Sequence, residues 1–279
     1  MDRKQQRERV REFRRLHEGE QALVLVNAWD AVSARVFEEA GSPAVATTSA
    51  GMAWSLGYAD GERLPRSALI DACARICRVV AVPVTVDVER GFGPSPKETC
   101  ATVRGLIELG VVGINIEDGR EAGRLAPSSG LVEKIVAIRS LARELDVDLF
   151  INARTDAYFV AWDDPRARYE EAVRRAEEYV NAGADGVFVP GLADPEEMAR
   201  MSRAITRPLN IYAGYEGLPP VDALRRAGVR RVSLGCGPLQ ALLAQARTMA
   251  RETLGDGTYG AMTSSMLSNS ELNALFTDR

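Results

Sequence analysis

Three stretches decide how this chain folds: Val82–Glu89 (VPVTVDVE), Gly113–Asp118 (GINIED) and Leu149–Thr155 (LFINART). In the first, Thr85, Asp87 and Glu89 alternate with Val84, Val86 and Val88. In the second, Asn115 and Glu117 alternate with Ile114 and Ile116, and the third brings Asn152 and Arg154, with Asp156 just beyond. A period of two places the polar set on one face of a strand and the apolar set on the other. A half-exposed antiparallel sheet would show the same alternation, so the intervening segments decide. They are long and helical in period: Pro65–Val80, Pro96–Leu109, Leu131–Leu145, Pro165–Ala182 and Pro195–Ile205. Strands alternating with helices make a parallel sheet, whose outer face the helices cover, so the polar rows point inward.

Five further apolar runs complete a set of eight: Ala22–Ala28, Ala44–Ser49, Gly186–Gly191, Pro208–Ala213 and Arg231–Gly235. The phrases EEAGSPAV, IELGVVGI, VNAGADGV and RRAGVRRV each read as a helix ending at glycine and turning into a strand. Eight such units, with no G-x-G-x-x-G after the first strand, predict a single-domain α/β fold, the (β/α)₈ or TIM barrel. An N-terminal helix is expected over 1–18, the barrel over about 22–254 and a helical tail over 255–279. Val10, Phe13 and Leu16 recur at helical spacing in the first helix. In the tail, Met266, Leu267, Leu272, Leu275 and Phe276 predict packing against another subunit.

With 39 acidic against 35 basic side chains, the chain lacks the basic excess of a nucleic-acid binder. No run approaches the roughly 20 apolar residues of a membrane helix, and the opening MDRKQQRERVREFRRL has no apolar signal core, so a cytoplasmic protein is expected. Cys73, Cys77, Cys100 and Cys236 lack zinc spacing and read as reduced thiols. The single histidine, His17, lies before the first strand and is expected at the surface. Histidine-based triads and polyhistidine metal sites are thereby excluded.

The acids of the inward rows lie at the C-terminal ends of their strands, the end where barrel active sites are built. Asp87 and Glu89 are about 6.6 Å of strand rise apart, and Glu117 approaches from the neighbouring strand. Three carboxylates in a partly dry pocket need protons, cations or a metal, and Arg154 offsets only one of them. Oxygen-only ligation suits a hard ion, so Mg²⁺ is expected on Asp87, Glu89 and Glu117, with Mn²⁺ as the alternative. A small anionic substrate is expected there.

The phrases TTSAGMAWSLGYADG (residues 47–61), VDVERGFG (86–93), GINIEDG (113–119) and INARTDAY (151–158) together resemble the isocitrate lyase and phosphoenolpyruvate mutase superfamily. The resemblance implies that Asp87 is a direct magnesium ligand and that Glu89 and Glu117 hold the ion mainly through its waters. It makes Asp60 a further active-site acid, so that Asp60, Glu117 and Arg154 form the expected catalytic set. Thr48, Ser49, Ala50 and Gly51 resemble a backbone cradle for carboxylate or oxyanion, and Arg154 the carboxylate grip, with Asn210 assigned to the same substrate set. It also implies a homo-oligomer, dimer or tetramer, with a swapped C-terminal helix.

The implied activity is a magnesium-dependent carbon–carbon lyase or decarboxylase acting on a small anionic 2-oxo or 2-hydroxy acid and forming a pyruvate-enolate-like intermediate. The loop after the fourth strand, GREAGRLAPSSG (119–130), departs from the pattern: it has no cysteine or histidine for the lyases' catalytic loop and no lysine for a phosphonomutase. Its Arg120 and Arg124 read either as solvated residues or as a lid over a second anion. A phosphonomutase or hydrolase acting on phosphonopyruvate-like compounds, and a non-catalytic metabolite-binding barrel, remain the alternatives.

Overall fold

The structure, a computed structural model, describes residues 3–121, 124–214 and 216–277. Its strands are β1 (Leu23–Leu25), β2 (Asn27–Ala28), β3 (Val45–Thr47), β4 (Val84–Asp87), β5 (Gly113–Glu117), β6 (Arg120–Glu121), β7 (Arg124–Leu125), β8 (Phe150–Arg154), β9 (Gly186–Phe188), β10 (Leu209–Tyr212) and β11 (Val229–Ser233). Nine of them form one parallel sheet in the order β1-β11-β10-β9-β8-β5-β4-β3-β2. β1 and β2 are halves of one strand parted only by Val26. The first half pairs with β11 and the second with β3, which closes the sheet into a barrel.

The helices are α1 (Arg3–Arg15), α2 (Ala31–Glu39), α3 (Ser49–Ser55), α4 (Arg66–Val79), α5 (Pro96–Glu108), α6 (Ser128–Glu144), α7 (Pro165–Ala182), α8 (Pro195–Ala204), α9 (Val221–Arg226), α10 (Gly237–Gly255), α11 (Gly260–Thr263) and α12 (Asn269–Thr277). Local sequence sets their ends. Proline opens α5, α7 and α8, where its missing N–H costs nothing, behind side-chain caps from Ser95, Asp164 and Asp194. α7 stops at Gly183, whose φ of 114° lies in the left-handed region that glycine tolerates best. Outward-facing Val84, Val86, Ile114, Ile116 and Ile151 are buried between the barrel and these helices.

α1 closes the barrel floor. The Gln6 amide donates to Ile107 O, at the end of α5, at 2.8 Å and to Val111 O, just before β5, at 3.0 Å, and Arg14 pairs with Asp185, just before β9, at 2.8 Å. Phe13 plugs this end, edge-on to Phe150 with ring centroids 5.4 Å apart. His17 is not a surface residue: it is 2% exposed and stacks on Phe150 at 4.3 Å. Burial first, and then Arg231, push its pKa down to about 3, so the ring is neutral.

Three elements differ from the sequence reading. The last barrel strand begins at Val229, two residues early. The phrase after the second predicted strand forms the short helix α3, and the loop after β5 contains the β6–β7 hairpin. Ala122 and Gly123 of that loop lie outside the described residues. The eighth barrel helix, α10, buries only Leu239, while Leu242, Leu243 and Leu254 are exposed, as are Met266, Leu267 and Phe276 beyond it. No described helix is long and apolar enough to cross a membrane.

Candidate active site

Asp87 ends β4. Its Oδ2 accepts from Ser49 Oγ at 3.0 Å and its Oδ1 from the Glu89 N–H at 3.2 Å, while its own N–H donates to Thr47 Oγ1 at 3.0 Å. The chain then turns at Glu89, a non-glycine residue with φ of 48°, a strained conformation of the kind concentrated at functional sites. That turn folds Glu89 inward to 6% exposure, where its Oε2 accepts from the Glu62 N–H at 2.7 Å. Glu117, at the end of β5, donates its backbone N–H to Glu89 O at 2.9 Å and holds Arg154 Nη1 at 2.8 Å. These contacts bring the three predicted metal-binding acids to one end of the barrel.

Arg154 is the hub. Besides Glu117 it binds Asp156 Oδ1 through Nε at 2.7 Å, and its guanidinium lies 5.6 Å from the Phe159 ring and 5.9 Å from the Phe188 ring. Nη2 has no hydrogen bond among the described residues, and the side chain keeps 19% of its surface exposed. Two of its nitrogens are already held by the protein's own acids, so a simple two-pronged carboxylate grip would have to compete with them. Arg120, from β6, reaches Asp156 Oδ2 at 3.2 Å and lies 5.3 Å from the Phe159 ring. That loop arginine is thus drawn into the site, whereas Arg124 is exposed.

The remaining predicted residues fall in two places. Thr48 caps α3 through its contact with the Gly51 N–H at 3.4 Å, and a side chain at Gly51 would come within 2.5 Å of Thr48 Cγ2. Gly51 thus lets α3 start tightly against the barrel, with Ala50 buried and Ser49 turned to Asp87. Asp60 is exposed at the rim and acts on Asp87 and Glu89 through its charge. Asn210 is fully enclosed below the mouth: its Oδ1 accepts from Ser233 Oγ at 3.2 Å and its Nδ2 has no partner among the described residues. Tyr158 donates to Glu197 at 2.9 Å, and burial and that carboxylate push its pKa up, which removes it as a ready acid.

Behind the mouth lies a network that sequence reasoning missed. Asp118 accepts from Tyr179 at 2.8 Å, Arg175 at 3.0 Å and the Asp156 N–H at 3.0 Å, and Arg175 also donates to Ala126 O at 2.8 Å. It ties α7, the Asp156 backbone and the hairpin loop together. Ala172, Arg175, Ala176 and Tyr179 share the buried face of α7 at helical spacing, and that pattern was the available signal.

Burial raises the pKa of Glu117 to about 8 against the pull of Arg154, with Asp156 and Asp87 adding to the rise. Burial, Asp87 and Asp60 raise Glu89 to about 8, and burial raises Asp87 as well. Arg154 is held charged because Glu117, Asp156 and Asp87 outweigh the effect of its burial. A site in which two carboxyls keep their protons at neutral pH lacks positive charge, and a divalent cation fits that deficit. Among the described residues no group of three or more acids, thiols or imidazoles is placed to hold a metal ion together. An ion bound through one or two carboxylates and retaining several waters, the habit of magnesium, does not require such a group.

A stability profile follows. Between about 4.5 and 8 the folded protein keeps protons on Glu89 and Glu117 that the unfolded chain releases. Stability contributed by these groups is therefore full below about 4.5 and is lost as pH rises towards 8. Melting temperature in EDTA is expected to fall from pH 5.5 to 8.5, with added magnesium restoring more of it at the higher pH. A metal-free profile that rises over this range would contradict the assignment.

A parallel barrel with carboxylates and an arginine at the C-terminal strand ends carries its polar residues where barrel enzymes build their active sites. The chain belongs to the phosphoenolpyruvate phosphomutase family, whose model matches residues 13–254, and so to the isocitrate lyase/phosphoenolpyruvate mutase superfamily of lyases and mutases. It is 32% identical over 259 residues to a 2-methylisocitrate lyase of Aeropyrum pernix, covering 88% of this chain and 80% of that one. An oxaloacetate decarboxylase of Pseudomonas savastanoi pv. phaseolicola is 28% identical over 79% of this chain and 76% of its own length. A crystal structure of a candidate lyase/mutase from Burkholderia cenocepacia J2315 superposes with a TM-score of 0.88 at 35% identity, covering 97% of this chain and 96% of that one.

Proposed function

We propose that this protein is a magnesium-dependent carbon–carbon lyase acting on a small 2-oxo or 2-hydroxy dicarboxylate, with decarboxylation of an oxaloacetate-like acid as its simplest form. The observation that carries the reading is Arg154, fixed by Glu117 and Asp156 beside Asp87 with its Nη2 making no hydrogen bond among the described residues. The relatives named as methylisocitrate lyase and oxaloacetate decarboxylase support the same chemistry. Asp87, Glu89 and Glu117 would hold the metal, which supplies a Lewis acid for the 2-oxo group when bound.

The chain's own residues do the rest. Arg154 orients a substrate carboxylate through Nη2, and of the Thr48–Gly51 cradle the N–H groups of Ser49 and Ala50 serve the developing oxyanion, since the Thr48 N–H is held by Ala28 O and the Gly51 N–H by Thr48 Oγ1. Asp60 at the rim and Arg120 above Asp156 shape the entrance. No cysteine or histidine stands in the 119–130 loop to protonate a leaving enolate, so decarboxylation, in which carbon dioxide leaves and solvent delivers the proton, asks least of these residues. The loop also lacks lysine, which disfavours the phosphonomutase reading.

The test is a product screen over oxaloacetate, alkylated malates, methylisocitrate and phosphonopyruvate, with and without magnesium. Magnesium-dependent pyruvate or related 2-oxo acid release supports the lyase, and turnover of phosphonopyruvate alone would replace it with the phosphonate reading. Silence on all four substrates with magnesium bound would favour a metabolite-binding barrel.

The exposed leucines of α10 further support a homo-oligomer in which this helix packs on a second copy. The wild-type chain is expected to elute as a dimer or tetramer, and Leu242→Glu with Leu243→Glu to shift it towards monomer. A monomeric wild type would refute the arrangement.

A further inference from the structure

Arg231, in the middle of β11, is 1% exposed, although none of the described residues forms an ion pair with it. Its Nη2 donates to Asn115 Oδ1 at 3.1 Å, and its Nε and Nη1 have no hydrogen-bond partner among the described residues. Asn210, its register neighbour on β10, adds an unpartnered Nδ2, so this layer holds surplus donors around a cation. The Phe13 ring lies 5.9 Å from the guanidinium, and His17 nearby is neutral. Barrel interiors are ordinarily filled by branched aliphatic side chains, and a buried charge without a partner is costly.

Position explains what contact does not. Asn115, which accepts Arg231, also accepts Asn152 Nδ2 at 2.9 Å and stands in register with Asp87 on β4. The next inward residues on β5 and β8 are Glu117 and Arg154, paired in register. The guanidinium therefore lies at the level of Asn115, one inward residue below Glu117 and Arg154. Asp87 is the one carboxylate that acts on it, offsetting part of the burial that lowers its pKa to about 9, and it stays charged at neutral pH.

We propose that Arg231 is a positioning residue of the mouth: a permanent cation beneath Glu117 and Arg154 that strengthens the hold on a dianionic substrate and loosens the hold on the divalent metal. This rests on the metal-dependent reading above. A unit charge removed from beneath the site acts with opposite sign on the two ligands, which a packing role would not do.

The test uses full-length wild type, Arg231→Met and Arg231→Lys, titrated with magnesium alone and with oxalate at saturating magnesium, beside a thermal melt of each. Arg231→Met is expected to bind oxalate about tenfold more weakly and magnesium severalfold more tightly. It should melt no lower than wild type, because an unpartnered buried charge has been removed. Arg231→Lys, which keeps the charge, is expected within about threefold of wild type for both ligands. If Arg231→Met does not fold, the Lys variant decides: both constants near wild type support the charge role, and a large loss of either overturns it. Constants for folded Arg231→Met within twofold of wild type, or both weakened together, would overturn the proposal. Wild-type protein that binds neither ligand would instead reject the metal-dependent reading, and this inference with it.

Discussion

Asp87→Ala protein is expected to lose magnesium-dependent turnover to background while keeping its fold and its melting temperature. Asp87 contributes no apolar core, and burial and the neighbouring Asp60 oppose its ionised form, offset in part by Arg154. Removing it costs the protein two hydrogen bonds, from Ser49 and the Glu89 N–H, and relieves a crowded negative cluster. Asp87 is also the second influence, after burial, that holds Glu89 near 8, so Glu89 should ionise at lower pH in the variant. Turnover assays beside thermal melts measure both effects. Full magnesium-dependent activity in Asp87→Ala would remove the metal assignment.

Arg154→Met is expected to lower kcat/KM by roughly 10²–10³-fold, the scale of removing one preorganised electrostatic contact. Its stability should depend on pH. Breaking a buried pair costs about 3–5 kcal/mol when the stranded acid stays charged. Glu117 already holds its proton to about 8, and loss of Arg154 raises it further, so protonation relieves most of that cost at pH 6. The melting temperature should therefore fall less at pH 6 than at pH 9. Arg154→Lys keeps the charge but has one nitrogen in place of three, and it cannot serve Glu117, Asp156 and a substrate together. A KM equal to wild type in the Lys variant would refute the substrate contact.

Much of this was legible because barrel strands encode direction. Alternation in VTVDVE, GINIE and FINAR placed Asp87, Asn115, Glu117, Asn152 and Arg154 on one face, and the structure brings them into the barrel in register. What escaped depends on contacts distant in sequence. The sequence places the start of β11 at Arg231 and leaves Val229 and Arg230 to the preceding turn, because a charged residue so soon after Gly228 reads as turn rather than strand. His17 was misplaced because only the Phe150 ring across the floor shows that it is buried. Glu89 was read as a strand residue, yet it reaches the site from a left-handed turn and is held by the Glu62 N–H, 27 positions away. The pairing of Arg120 with Asp156 required the hairpin fold of its loop.

The claim on which the rest depends is that the carboxylates at the barrel mouth hold a divalent ion. Calorimetric titration of magnesium into wild type and Asp87→Ala at pH 7 tests it most directly. The account predicts saturable binding by wild type, accompanied by proton release as Glu89 and Glu117 ionise, and loss of that binding in the variant. Equal binding by both proteins, or no binding by wild type, would contradict it.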